Sequence, residues 1–230
     1  MNLYEKFNSK LYNPRDIEGN PNSEMFRAVD IVYETLTGDD DFVAVEPFGS
    51  TMKGYSNKDS DFDIRILVDV KNKMDFKDND DNDEMVTRGS EVYHRTEKIK
   101  NKAIKALEDE GFDSEKLHIL IFTVSKKANV ARIENGLNED ESDARVVGAW
   151  FKIFKGERIN DFRDSAIAEL RKLSEPERLR QTRLMVVALS ESELLSFNKI
   201  KQRAGNDQDY DNLLECRIQM WKNRILGFID

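Results

Sequence analysis

Three features of the sequence predict an α/β fold of the α+β type, a mixed sheet flanked by helices and followed by a mostly helical lobe. Two apolar, β-branched runs, Phe42 to Phe48 and Asp61 to Val70, flank a Gly-Ser turn and a short polar connection. A third such run, Lys116 to Val124, follows a long segment of helical periodicity. Beyond residue 148 the apolar positions recur mainly at helical spacing. Two regions are expected: 1–148, an α/β lobe with an N-terminal arm over 1–19, and 149–230, a helical lobe, with a ligand cleft between them.

The elements follow in order. Tyr4, Phe7, Leu11 and Tyr12 stand among polar neighbours and suit an arm or short helix packed on the body. Asn20-Pro21 opens the first helix, since proline is tolerated in a first turn. Met25, Val29, Val32 and Leu36 form its apolar stripe, and Gly38 marks its stop. The tract Lys71 to Glu84 contains KDNDDNDE; it lacks the glycine and the twelfth-position glutamate of a calcium loop, so a surface loop is expected. Ser90 is placed to cap a helix running to Glu110, with Val92, Ile99, Ala103, Ala106 and Leu107 inward and Gly111 as end signal. Arg145 to Phe154 is apolar and fits strand or helix. Asn160 or Asp161 can cap a helix to about Leu173. Ser174-Glu175-Pro176-Glu177 has the form of a capping box, and a long helix follows towards Phe197. Gly205 to Asp209 is a loop, and Tyr210 to Ile229 a last helix packing through Leu213, Leu214, Ile218, Trp221, Ile225 and Phe228.

Composition narrows the class. The chain has 230 residues, 39% hydrophobic and 35% charged, with a net charge of −9. Residues 1–150 carry 21 Lys/Arg against 32 Asp/Glu, whereas 151–230 carry 15 against 13. An acidic whole argues against a general nucleic-acid coat, but leaves room for a basic face on the second region. Apolar runs such as Leu117 to Val124 are too short to span a bilayer, and the N-terminus lacks the order of a secretory signal. The single cysteine, Cys216, fits a buried thiol in a helix. An intracellular, cytoplasmic protein without membrane partners is expected.

The chemistry gathers at one corner. Asp61 and Asp63 are two residues apart, so on a strand both carboxylates leave the same face. Such an oxygen-only pair suits Mg²⁺ or Mn²⁺, completed by substrate phosphates. Gly49 lets the backbone approach a ligand, and amides after the turn can form an anion nest. These parts suit phosphoryl or nucleotidyl transfer.

The segment GSTMKGYSNKDSDFDIRILV, with Gly49-Ser50, ten intervening residues and then Asp61-Phe62-Asp63 opening an apolar strand, resembles the signature of the DNA polymerase β-type nucleotidyltransferase superfamily. That superfamily includes poly(A) and CCA-adding polymerases, terminal uridylyltransferases, aminoglycoside nucleotidyltransferases and cyclic-oligonucleotide synthases. The likeness covers about positions 42 to 124. It implies a nucleotidyltransferase-type mixed sheet, with Gly49 and Ser50 on the β- and γ-phosphates of a nucleoside triphosphate and Asp61 and Asp63 holding two metal ions. Lys53 and Ser60, on the connection, are candidates for the phosphates. Lys152, Lys155 and Arg158 correspond to the passage into a helical lobe, where a basic residue steadies the triphosphate in related enzymes. Trp150, Phe151 and Phe154 are candidates to stack a base, or else core aromatics.

The family's third carboxylate would come from the strand KLHILIF, and the matching position is His118. Three readings stand open. His118 acts as neutral imidazole ligand or base, two carboxylates suffice with substrate phosphates, or the site is degenerate. His94 sits on the long helix beside Tyr93 and is read as a surface or cleft-edge residue. The expected activity is transfer of a nucleoside monophosphate from a nucleoside triphosphate to an acceptor hydroxyl, with pyrophosphate leaving. An RNA 3′ end is the first choice of acceptor, because Arg171, Lys172, Arg178, Arg180, Arg183, Lys199, Lys201 and Arg203 make the helical region relatively basic. Alternatives are a small molecule, a protein or a second nucleotide as acceptor, and a catalytically inactive nucleotide-binding or regulatory module.

Overall fold

The computed structural model describes residues 23–49, 60–69, 91–137, 141–151, 155–204, 218–219, 222–227 and 229. Helix α1 (Ser23–Leu36) leads into β1 (Phe42–Pro47), followed by β2 (Phe62–Asp69), α2 (Glu91–Asp109), a 3₁₀ turn (Ser114–Lys116) and β3 (Leu117–Val124). The sheet order is β1-β2-β3; β1 runs antiparallel to β2, and β2 parallel to β3 across the α2 crossover. The protein is thus mixed α/β, with a small sheet of mixed direction.

Both helices cover one face of that sheet. In α1, Met25, Ala28, Val29, Val32 and Leu36 are buried at the three-and-four spacing of a single helical stripe. Ile99, Ala103 and Leu107 do the same for α2. They meet Phe42, Val45, Ile64, Ile66, Val68 and Ile119 in one core. A bulge adjusts the alternation of β1. Phe42 pairs with Val68 but Ala44 with Leu67, so the extra residue lets Phe42 and Val45, three apart, join the same core. Arg27 on α1 donates to the Glu110 carboxylate (2.6 Å) and its carbonyl (3.1 Å), tying the start of α1 to the end of α2.

A returning segment lengthens the sheet edge. Lys155 exchanges both backbone hydrogen bonds with Val45 (2.8 and 2.9 Å). A Cβ at Gly156 would stand 2.4 Å from the Val43 carbonyl, so only glycine permits this approach. Arg158 then donates to the carbonyls of Asp40 (2.6 Å) and Phe42 (3.0 Å) and to the Asp69 carboxylate (2.5 Å).

The chain divides into two compact units, but not at residue 148. The sheet unit includes the described residues up to Ser125 and takes back 155–159, whereas 126–151 and 160 onward form the helical unit. Among the described residues the helical unit holds α3 (Lys126–Glu134), α4 (Glu141–Ala149), α5 (Ile159–Lys172) from Asn160 onward and α6 (Glu175–Ala204). Helix α4 resolves the ambiguous Arg145–Phe154 run as helix up to Ala149. Ile133, Leu137, Val147, Phe162, Leu170, Met185 and Leu189 are buried. Gln181, fully buried, donates to the Ile133 carbonyl (3.2 Å) and to Glu177 (2.9 Å), while Arg180 donates to the Leu137 carbonyl (3.2 Å). Glu177 therefore faces Arg180 and Gln181 along α6, and these two side chains cap the end of α3.

The N-terminal arm, Asn20-Pro21, the polar tract 71–84, Ser90 and Cys216 lie outside the described residues, as does much of the stretch expected to form a last helix; its described residues, 218–219, 222–227 and 229, are helical. Among the described residues no helix is long and apolar enough to cross a membrane.

Candidate functional site

The sheet face opposite the two helices carries the acid and the histidine. On β2 the alternation sends Ile64, Ile66 and Val68 into the core and leaves Asp63 and Arg65 for the other face. Asp63 is in register with His118 on β3, and parallel pairing puts their side chains on the same face. His118 Nδ1 and Asp63 Oδ1 are 2.7 Å apart; the carboxylate side chain is 15% exposed and the imidazole 51%. In the tautomer that makes Asp63 the acceptor of this bond, the proton sits on Nδ1 and Nε2 is the imidazole's second functional nitrogen.

Gly49 closes on the same carboxylate. Phe48 donates its backbone N–H to the Asp63 carbonyl (2.9 Å), extending the β1–β2 ladder by one rung beyond Pro47. Gly49 then turns with φ +73°. A Cβ there would lie 1.9 Å from Asp63 Oδ2 and 2.6 Å from its Cγ. The carboxylate thus occupies space that only glycine leaves, and the Gly-Ser corner and Asp63 form one unit.

Asp61 differs from the strand expectation. Strand β2 begins at Phe62, so Asp61 stands one residue outside the ladder, exposed, and alternation does not fix its side chain. Ser60 precedes it, half-buried. Lys116 likewise falls in the 3₁₀ turn capped by Asp113, whose carboxylate accepts from the Glu115 N–H (3.0 Å), so β3 starts at Leu117. Ser50, Lys53, Lys152 and Phe154 lie outside the described residues.

The structure places Lys155 and Arg158 away from the Asp63 corner. Val45 faces the helices, and its bridge partner Lys155 shares that side; its ammonium ion-pairs with Asp30 and stands 4.8 Å above the Tyr33 ring. Arg158 is the clasp on Asp69 described above. Trp150 and Phe151 are buried in the helical unit; Trp150 packs edge-on against Phe162 (5.0 Å) and its carbonyl accepts from buried Arg163 (2.6 Å), so the core reading holds for both. In the basic set, Lys172 pairs with Glu169 and Arg180 with Glu177. The Arg180 and Gln181 hydrogen bonds pull the Glu177 carboxyl down to about 2, and the bond from Glu169 raises Lys172. His94, exposed, packs edge-on against Tyr93 at 5.8 Å.

Sequence reasoning missed the neighbours of the Asp63–His118 pair. Phe48 packs on His118 with ring centroids 5.8 Å apart. The Arg65 guanidinium lies 4.9 Å from the Phe48 ring and 4.4 Å from that of Phe122, and it ion-pairs with buried Glu46. Strand parity was the available signal: Glu46 and Phe48, and Asp63 and Arg65, are each two apart.

Among the described residues, no group of three His, Cys, Asp or Glu side chains is arranged to hold a metal ion. The donor chemistry still fits a hard divalent cation, because Asp63 brings its carboxylate to a glycine corner and Asp61 is exposed two residues away. Two carboxylates leave most of the coordination shell to substrate oxygens and water. Comparisons with protein-family models and with curated proteins find no match for this chain.

Proposed function

We propose that this chain is a nucleotidyltransferase of the DNA polymerase β type, moving a nucleoside monophosphate from a nucleoside triphosphate to an acceptor hydroxyl. The supporting observation is the joint packing of Gly49, Asp63 and His118: a positive-φ glycine against a carboxylate that is hydrogen-bonded across the sheet to an imidazole. The order α1-β1-β2-α2-β3 supports this reading, since the resemblance implies a helix–strand–strand–helix–strand core.

In this reading Asp61 and Asp63 hold Mg²⁺ or Mn²⁺, which when bound neutralises triphosphate charge and favours in-line displacement at the α-phosphorus. His118 accepts the acceptor hydroxyl proton at Nε2, and Asp63 keeps the opposite nitrogen protonated and stabilises the imidazolium. The hydroxyl oxygen bonds to the α-phosphorus, the bond from that phosphorus to the bridging oxygen breaks, and pyrophosphate leaves. Gly49 with Ser50 receives the phosphate tail. The acceptor is an RNA 3′ end, supported by exposed Arg171 and Arg183 on the helical unit.

The test is incubation with each labelled nucleoside triphosphate, Mg²⁺ or Mn²⁺ and pooled RNA, beside an Asp61→Ala/Asp63→Ala control. Label transfer that the control lacks supports the proposal, and no transfer with any nucleotide refutes it. A second reading, a catalytically silent nucleotide-binding module, is favoured by one observation, the engagement of Asp63 Oδ1 by His118 where a third carboxylate was expected. Nucleotide binding without transfer would select it.

A further inference from the structure

The sheet face opposite α1 and α2 holds an ion pair that packing alone does not require. Glu46 on β1 is in register with Arg65 on β2, and their side chains are 6% and 20% exposed. Taking two charges this far out of water costs free energy that their attraction only partly returns, and apolar residues of similar volume usually serve as well or better. Arg65 Nε is moreover shielded from water with no hydrogen-bond partner among the described residues. Leucine or methionine would fill this place between Phe48 and Phe122 without that cost. What an apolar residue would not reproduce is a flat cation anchored at one end by Glu46 and lying against both rings.

The ring that Arg65 holds is the one that touches His118. Phe48 reaches the His118 imidazole at 5.8 Å, at an interplanar angle of 56°, and the next residue is Gly49, packed on Asp63. His118 is thus fixed at Nδ1 by Asp63, while its half-exposed ring meets Phe48 on one side. One hydrogen bond leaves an imidazole free to swing about that bond; a packed ring removes the swing and sets where Nε2 points. We infer that Arg65, anchored by Glu46, is a positioning residue that acts through Phe48 to hold the His118 imidazole in its working orientation. The inference rests on the proposed transferase reading for its kinetic consequence, but not for its geometric one.

Two variants and two readouts test it. Arg65→Lys keeps the charge and loses the planar stack, and Glu46→Leu/Arg65→Met replaces the pair by apolar volume. With only two histidines in the chain, the imidazole proton resonances at fixed pH separate His118 from His94, which serves as internal reference beside Tyr93. In both variants the His118 resonances, shifted by the ring current of Phe48, are expected to move while those of His94 stay. Nucleotide transfer is expected to lose about tenfold or more in kcat, with KM for the nucleoside triphosphate within about twofold, because orientation rather than binding is lost. Unmoved His118 resonances in both variants overturn the inference, and so do moved resonances with unchanged kcat. If the wild-type protein transfers no label, the transferase reading fails by itself, and the resonances still decide whether Arg65 positions His118.

Discussion

Replacing Gly49 by alanine probes the corner directly. The substitution does two separable things. It puts a side chain on a residue at φ +73°, where an L-residue costs about 1–2 kcal/mol relative to glycine. It also sets a Cβ at 1.9 Å from Asp63 Oδ2, 2.6 Å from Cγ and 2.9 Å from Cβ. Rotating the carboxylate does not relieve the contact with Asp63 Cβ, so either the corner or β2 has to shift. Gly38 supplies the control, because its φ is +89° and an added Cβ there meets nothing within 4 Å among the described residues. Gly38→Ala is expected to lose only the backbone term, about 1–2 kcal/mol by urea unfolding, with transfer unchanged. Gly49→Ala is expected to lose about 1–3 kcal/mol more, the range for forced overpacking. Its label transfer should fall about 100-fold, as for an ångström-scale misplacement of a reacting group. Equal stabilities for the two variants, or transfer by Gly49→Ala within about twofold of wild type, would refute the packing of corner on carboxylate.

Further outcomes follow from the same contacts. Lys155→Met removes the Asp30 ion pair and the Tyr33 contact; stability should fall by less than about 1 kcal/mol, and the nucleotide KM should not move, as titrated in the label-transfer assay. Gln181→Ala strips the Ile133 carbonyl of its donor and leaves a void, so urea unfolding should report a loss of about 2–5 kcal/mol. Glu177, with its carboxyl held at about 2 rather than 4.5, contributes stability that is complete above about pH 4.5 and is lost as pH falls towards 2. The stability gap between wild type and Glu177→Gln should therefore be flat from pH 7 to 5 and close below that. Its size should stay within the surface-pair range of about 0.2–1 kcal/mol, because the carboxylate side chain is 35% exposed.

The elements of the sheet unit were legible because their signals are local. The stripe on α1 and the alternation on β2 need only a few neighbouring residues. Positions dependent on partners far along the chain were not. Lys155 and Arg158, with Lys152, are candidates to steady the triphosphate only through the family resemblance, yet the partners of Arg158 and Lys155, Asp69 and Asp30, lie 89 and 125 residues away. The same holds for Gln181, whose hydrogen bond to Ile133 spans 48 residues. The apolar run invites Asp61 onto a strand, but the β1–β2 ladder ends with the Phe48–Asp63 bond and the β2–β3 register starts at Phe62. The bulge between Phe42 and Ala44 was hidden because all three residues there are apolar, and a uniform run reveals no face.

The return of 155–159 to β1 bears on how the molecule is made. Val45 is fully buried, and both its backbone groups are satisfied by Lys155 rather than by anything nearer in the sequence. A ribosome that has released the chain as far as Ser125 has therefore supplied every strand found among the described residues, yet left Val45 with an unanswered N–H and C=O. The α/β half must wait for some thirty further residues of the other half to emerge before its border is sealed. A fragment cut at 125 or 148 for expression should aggregate along that border, whereas one cut after 159 keeps its own seal.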